Sequence, residues 1–295
     1  MANVKNCNGG GTLSSTLVSS EIDTQSRANS LAPRRESGFA YGRNETSSLA
    51  PRGRGGKAAF TLAEVLITLG IIGVVAAMTL PSLIQNYQKK ALATQTQKFY
   101  SMMSQAVKQY MADYGVDDLR NTPLAWDNYD DDSKLPEAIA SIRDFATKYL
   151  KVVKECNPSD ENDNNCFAPV YRLWDNSIPD ERHNFTTGAA WSYRRDYVLA
   201  DGSVIRIGYW GPIELFVDVN GKKGPNRVGY DLWNMDIFYD GVIDESNVDP
   251  GCRGGDKSLC ETPQERRERQ FECCKAGTYG GCFGHLLNNN FKFDY

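Results

Sequence analysis

Residues 60–84 read FTLAEVLITLGIIGVVAAMTLPSLI, and the rest of the chain is organised around this run. It is apolar for the length of one bilayer crossing, with one acid, Glu64, near its start and one proline, Pro81, near its end. Residues 60–80 alone are long enough to form a helix across about 30 Å of hydrocarbon. A carboxylate in such a segment costs about 2.5–3.5 kcal/mol to insert, so one kept here serves something beyond anchoring. Directly upstream, residues 51–59 read PRGRGGKAA. The cations Arg52, Arg54 and Lys57 predict that the N-terminal side stays in the cytoplasm and that the chain beyond the apolar run is exported.

Pro81 is expected to kink the helix rather than end it, because a helical pattern resumes at once. Tyr87, Ala91, Thr94, Phe99, Met102, Ala106 and Tyr110 follow at steps of three to five and form one stripe on a wet helix that stops near Gly115. Residues 60–115 are therefore read as one helix, on the order of 80 Å long at 1.5 Å per residue. Its first part (60–80) lies in lipid, and its second part lies on an exported domain, residues 116–295. Residues 1–59 have no helical or strand period and are rich in Ser, Gly, Asn and Arg, which predicts a disordered leader.

The net charge of −4 hides an asymmetry. Residues 1–59 carry eight Lys/Arg and four Asp/Glu, a net of +4, which leaves −8 for residues 60–295. An acidic downstream part argues against nucleic acid as a direct partner. Seven of the eight cysteines (Cys156, Cys166, Cys252, Cys260, Cys273, Cys274 and Cys282) lie in the second half. A membrane segment leading to an exported domain favours disulfides. The competing reading, a thiolate zinc site, lacks the usual CxxC pairs. Cys156 and Cys166 are the natural pair by proximity. Pairings among the last five stay open, except that the neighbours Cys273 and Cys274 are expected to reach different partners. Seven cysteines leave one odd, as a free thiol or an intersubunit bridge.

Residues 116–185 are polar and irregular, with one or two short helices expected within 136–153. Strand signals begin near Ala189, and the sheet is predicted over 189–240. Asp201-Gly202 sits between YVLA and SVIRIGYW, a hairpin signature. Residues 213–219 (IELFVDV) alternate, Asn220-Gly221 offers a second turn, and residues 231–239 (DLWNMDIFY) form a further strand. Three or four antiparallel strands result, with one face free to cover the helix stripe. In the Cys-rich tail, residues 250–295, Thr262-Pro263-Gln264-Glu265 reads as an N-cap, a proline at the first helical position and a capping-box glutamate. A short basic helix follows and ends near Gly277. The fold class expected is α+β: a long N-terminal helix packed on a small antiparallel sheet, with a disulfide-stabilised C-terminal region.

The run from Ala59 onward resembles the prepilin-type N-terminal cleavage and methylation motif of type IV pilins and type II secretion pseudopilins. The resemblance rests on the basic leader, the small residue before Phe60 and the unbroken apolar run. Glu64 stands fifth and Pro81 twenty-second, counted from Phe60. It implies that a prepilin peptidase cuts between Ala59 and Phe60 and methylates the new Phe60 amine. It also implies assembly with other pilin or pseudopilin subunits on an inner-membrane platform, Glu64 pairing with the amine of a neighbouring subunit. The family usually has Gly where Ala59 stands, and its leaders are commonly short. Gly38-Phe39 is a decoy, since no apolar run follows it.

The leading expectation is a structural subunit held in membrane lipid and assembled into a pilus or pseudopilus, not an enzyme. The alternative is a membrane-tethered adhesin or enzyme that uses the motif only as an anchor. His183 and His285 sit in no metal or catalytic pattern, and no GxSxG, HExxH or phosphate loop is present. No cofactor is expected. Asp218, Asn220 and Asp231 offer oxygens around the 220–231 loop, as calcium requires, but fewer than the six to eight it takes. A plain turn with acids at its edge is the favoured reading there.

Overall fold

The structure is a computed structural model and describes residues 61–124, 132–156, 166–179, 194–209, 213–246 and 262–295. Ala59, Phe60, His183, Cys252 and Cys260 lie outside the described residues, as does the expected leader. The fold is α+β. Helix α1 (Leu62–Tyr114) runs unbroken through Pro81. Its residues up to Met78 belong to one compact unit, and the chain from Thr79 onward forms another.

In the second unit α1 buries Leu92, Thr96, Phe99, Met103, Ala106 and Tyr110, flanked by Ala93, Val107 and Met111. These positions alternate steps of four and three, the spacing that keeps one seam on one side of a helix. The expected stripe is only partly this seam. Phe99, Ala106 and Tyr110 belong to it, whereas Tyr87, Ala91 and Thr94 are exposed and Met102 is half-buried. A step of five between Thr94 and Phe99 carried the expected stripe off the buried side. Thr96, the polar member of the seam, donates its hydroxyl to the Leu92 carbonyl at 2.9 Å and so leaves no unsatisfied group.

Helix α2 (Leu135–Tyr149) starts with Pro136 in its first turn and buries Ala138, Ile142, Phe145 and Ala146. Tyr110 of α1 meets Phe145 and Tyr149 edge-on, at 5.4 and 5.3 Å between centroids. The sheet is a six-stranded antiparallel meander in the order of the chain. Its strands are β1 (Val152–Cys156), β2 (Arg194–Leu199), β3 (Val204–Tyr209), β4 (Ile213–Asp218), β5 (Leu232–Ile237) and β6 (Ile243–Asp244). The β2–β3 hairpin turns at Asp201-Gly202, where Gly202 has φ +88° and the Asp201 carboxylate accepts from the Ser203 amide and hydroxyl at 3.1 and 2.7 Å.

Three expectations change. The sheet starts at Val152 rather than near Ala189, so Val152 and Val153 are strand and not helix, and β6 closes its far edge. Asn220-Gly221 does not return β4 to β5 by itself, since the chain re-enters the sheet only at Leu232. The tail holds a second helix, α4 (Cys282–Asn288), after the expected α3 (Pro263–Lys275). The α3 capping box is present, with Thr262 and Glu265 bonded reciprocally.

Strand register divides the sheet into two unlike faces. One carries Tyr197, Leu199, Ile205, Ile207, Leu215, Val217, Trp233 and Met235, which share a single core with the α1 seam. The other carries Arg194, Asp196, Arg206, Glu214, Asn234 and Asp236, all buried despite their charge or polarity. Arg206 grips Asp196 with two bonds of 2.7 Å and lies 5.1 Å over the Phe167 ring. The sequence pattern of this second face is that of a wetted surface; the 166–171 segment is folded over it.

Among the described residues no cysteine is free. Cys156 is bridged to Cys166 and Cys274 to Cys282, with Cα atoms 5.9 and 5.3 Å apart, and Cys273 is disulfide-bonded as well. Helix α4 begins after Gly281, whose φ of +92° suits glycine alone. Its first amides are satisfied from a distance: buried Glu245 accepts from Gly281 N–H at 2.7 Å and from Gly284 N–H at 2.8 Å. The last residue, Tyr295, donates its hydroxyl to the Gly229 carbonyl at 2.6 Å, and its own carbonyl accepts from Lys89 of α1.

Candidate functional site

The site begins where α1 begins. Thr61 precedes the helix and Glu64 sits in its first turn. Thr61 donates its backbone N–H to Glu64 Oε2 at 2.8 Å and its hydroxyl to the same oxygen at 2.9 Å. In return Glu64 N–H donates to Thr61 Oγ1 at 3.2 Å. This is a reciprocal capping box, and it satisfies orphan amides at the start of the helix from within the chain.

From Thr61 to Val75 every side chain is exposed, including Leu62, Leu66, Ile71 and Ile72 at 78, 61, 60 and 62%. Apolar side chains around a whole helix, interrupted here at Thr61, Glu64 and Thr68, mean a lipid or protein environment rather than water. Among the described residues α1 is the one helix long and apolar enough to cross a membrane. Pro81 lies within it and lacks the N–H that the Ala77 carbonyl would accept.

The other sequence candidates form a second cluster. Asp218 Oδ1 accepts from the Asn220 amide at 3.1 Å, and Oδ2 accepts from the Tyr171 hydroxyl. Asp231 accepts from the Asn226 and Arg227 amides, each at 2.7 Å. Both acids are fully buried. Burial, reinforced by the charge of Asp231, pushes Asp218 up to about 8, and burial pushes Asp231 up to about 6 against the pull of its backbone donors. The chemistry on view is loop fixation: two carboxylates spend their oxygens pinning the connection between β4 and β5. Among the described residues no group of three or more His, Cys, Asp or Glu is placed to hold a metal ion.

A raised carboxyl pKa works against the folded state as pH rises. Its contribution is fully favourable below the unfolded value of 3.8 and is lost as pH climbs through about 8. Glu214 and Glu245, each pushed up to about 7 by burial, add in the same direction. The melting temperature is therefore expected to fall between about pH 4 and pH 8, and Asp218→Asn to flatten that fall. A variant with the same slope as the parent would show that Asp218 stays ionised in the fold.

His285 stands against Glu268 at 2.9 Å and Asp294 at 3.0 Å, stacked on Phe271 with centroids 3.8 Å apart. It fastens the tail to α3. Sequence reasoning missed this arrangement because its members are scattered over α3, α4 and the chain end.

The start of α1 has a counterpart among known families. Residues 54–80 match the prokaryotic N-terminal methylation motif. The chain is type IV pilin-like. Residues 82–196 match a family of unknown function, DUF6613, a span that covers the rest of α1, α2 and the first part of the sheet. Neither a curated protein nor a solved structure matches the chain. The motif and the apolar helix make the pilin-like chain membrane-anchored, a substrate for prepilin peptidase, and point to a structural rather than a catalytic protein.

Proposed function

We propose that the pilin-like chain is a fibre subunit, cut between Ala59 and Phe60 and methylated on the Phe60 amine. It is stored in the inner membrane with its N-terminus cytoplasmic and the domain after α1 periplasmic. It then polymerises with other pilin or pseudopilin subunits, on an inner-membrane platform, into a type IV pilus or a type II secretion pseudopilus. The observation that carries this reading is a helix start with an uncovered carboxylate, Glu64, followed by an apolar surface that the chain itself leaves bare. Cutting creates a cation at Phe60, four residues before an anion, and two staggered neighbours satisfy both charges better than either subunit alone. A desolvated pair of this kind fixes register, because a misplaced subunit leaves both charges unmet.

The test is the intact N-terminus, by mass spectrometry of membrane-extracted protein from cells with and without prepilin peptidase. A chain starting at N-methyl-Phe60 only when the peptidase is present supports the subunit reading. An uncut chain, or one cut elsewhere, sinks it and leaves a tethered adhesin or enzyme.

A further inference from the structure

The capping box at Thr61 recurs in the same molecule. In α3, Thr262 N–H and Oγ1 donate to Glu265 Oε2 at 2.8 and 2.9 Å, and Glu265 N–H returns a bond to Thr262 Oγ1 at 3.2 Å. Distances and donor order are those of Thr61 and Glu64. In α3 the box starts an ordinary surface helix. In α1 the same geometry holds the one carboxylate that the apolar run contains.

We infer that Thr61 is a positioning residue for Glu64, holding its carboxylate in a cap within the subunit's own chain until the amine of a neighbouring subunit takes it. The inference rests on the fibre-subunit reading. Both Thr61 donors converge on Oε2; among the described residues Oε1 receives no hydrogen bond and stays open to a new donor. A carboxylate in lipid without donors is strongly disfavoured, and a flexible one reaches for lipid headgroups or the membrane surface. The cap instead fixes the glutamate along the helix start with one oxygen presented outward. The incoming amine then meets a preorganised acceptor and pays little for ordering it. The Thr61 hydroxyl is the adjustable part of this hold, since the backbone N–H survives any substitution there.

The test co-expresses full-length variants with the wild-type chain and compares each variant's share of the sheared fibre fraction with its share of the membrane. Each N-terminus is checked by mass spectrometry. Wild-type neighbours allow partial incorporation, which keeps values off zero. Thr61→Val removes the hydroxyl at nearly constant shape and is expected to lower incorporation about tenfold, the worth of one hydrogen bond to a charged group. Thr61→Ser, which rebuilds the box, is expected to restore it. In a Glu64→Gln background Thr61→Val is expected to cause no further loss, because its effect runs through the carboxylate.

Wild-type incorporation by Thr61→Val, an equal loss in both backgrounds, no rescue by serine, or a Thr61→Val chain left uncut would each overturn the inference. The fibre-subunit reading fails separately, and visibly, if Glu64→Gln incorporates like wild type or no sheared fraction contains the chain.

Discussion

Replacing Glu64 by valine is expected to leave the chain cut before Phe60 and seated in the membrane, yet remove it from the fibre. Insertion should if anything improve, because the substitution deletes the costly group in the apolar run. On the proposed fibre-subunit reading, what is lost is the partner of a neighbour's amine. Leaving one member of a desolvated ion pair alone costs about 3–5 kcal/mol, at least a hundredfold in incorporation. The measurement is the ratio of mature chain in the sheared fraction to mature chain in the membrane. A valine variant that assembles within a few-fold of the parent would remove Glu64 from the mechanism and leave α1 as an apolar peg.

The second large effect lies in the domain. Asp196→Ala is expected to destabilise it by about 3–5 kcal/mol, the cost of a buried charge left without its partner. Arg206 is 4% exposed and makes two bonds of 2.7 Å to Asp196. Arg194 adjoins it, and burial together with the charge of Arg206 pulls the Arg194 guanidinium down to about 10. Removing Asp196 takes from Arg206 its two-bond acid and leaves two neighbouring buried cations with one acid fewer, Glu214 remaining nearby. At about 2–4 °C per kcal/mol for a domain of this size, the melting temperature of the full chain in detergent should drop by roughly 6–20 °C. Replacing the pair together, Asp196→Leu with Arg206→Met, should recover most of the loss, since an apolar pair of similar volume has no charge to desolvate. A drop below about 2 °C in the single variant would show that water reaches this face and screens it.

The sequence announced those elements whose cause is local. An unbroken apolar run, an Asp-Gly between alternating strands and a Thr-Pro-Gln-Glu cap each act within a few residues. For the same reason the start of α1 was legible to within two residues: a helix expected from Phe60 begins at Leu62. Strand β1 was hidden because it pairs on one side only, so Lys154 and Glu155 remain at a wetted edge and break the apolar signal. Helix α4 was hidden because its support is remote: Glu245 caps it from far along the chain, and the Cys274–Cys282 bridge holds its first residue. The charged face of the sheet was the deepest miss. Arg194-x-Asp196 and Arg206-x-Gly208 alternate like a surface, and among the described residues Phe167 over Arg206 and Tyr171 on Asp218, both placed by tertiary folding, cover part of it. In the second cluster the residue types were legible, but not that the Tyr171 hydroxyl and three backbone amides would consume the oxygens of Asp218 and Asp231.

The meander has a consequence for the order in which the domain can assemble. Every strand pairs with its immediate predecessor, so each one meets a docking edge that the strand before it has already made. Once β2 has paired with β1, each further strand closes a comparatively short loop, and the entropy of each closure is small. The Tyr295 carbonyl accepts from Lys89, 206 positions earlier. That bond is a clasp between two segments far apart in the chain, and disturbing the backbone at Tyr295 would loosen the hold of the tail on α1.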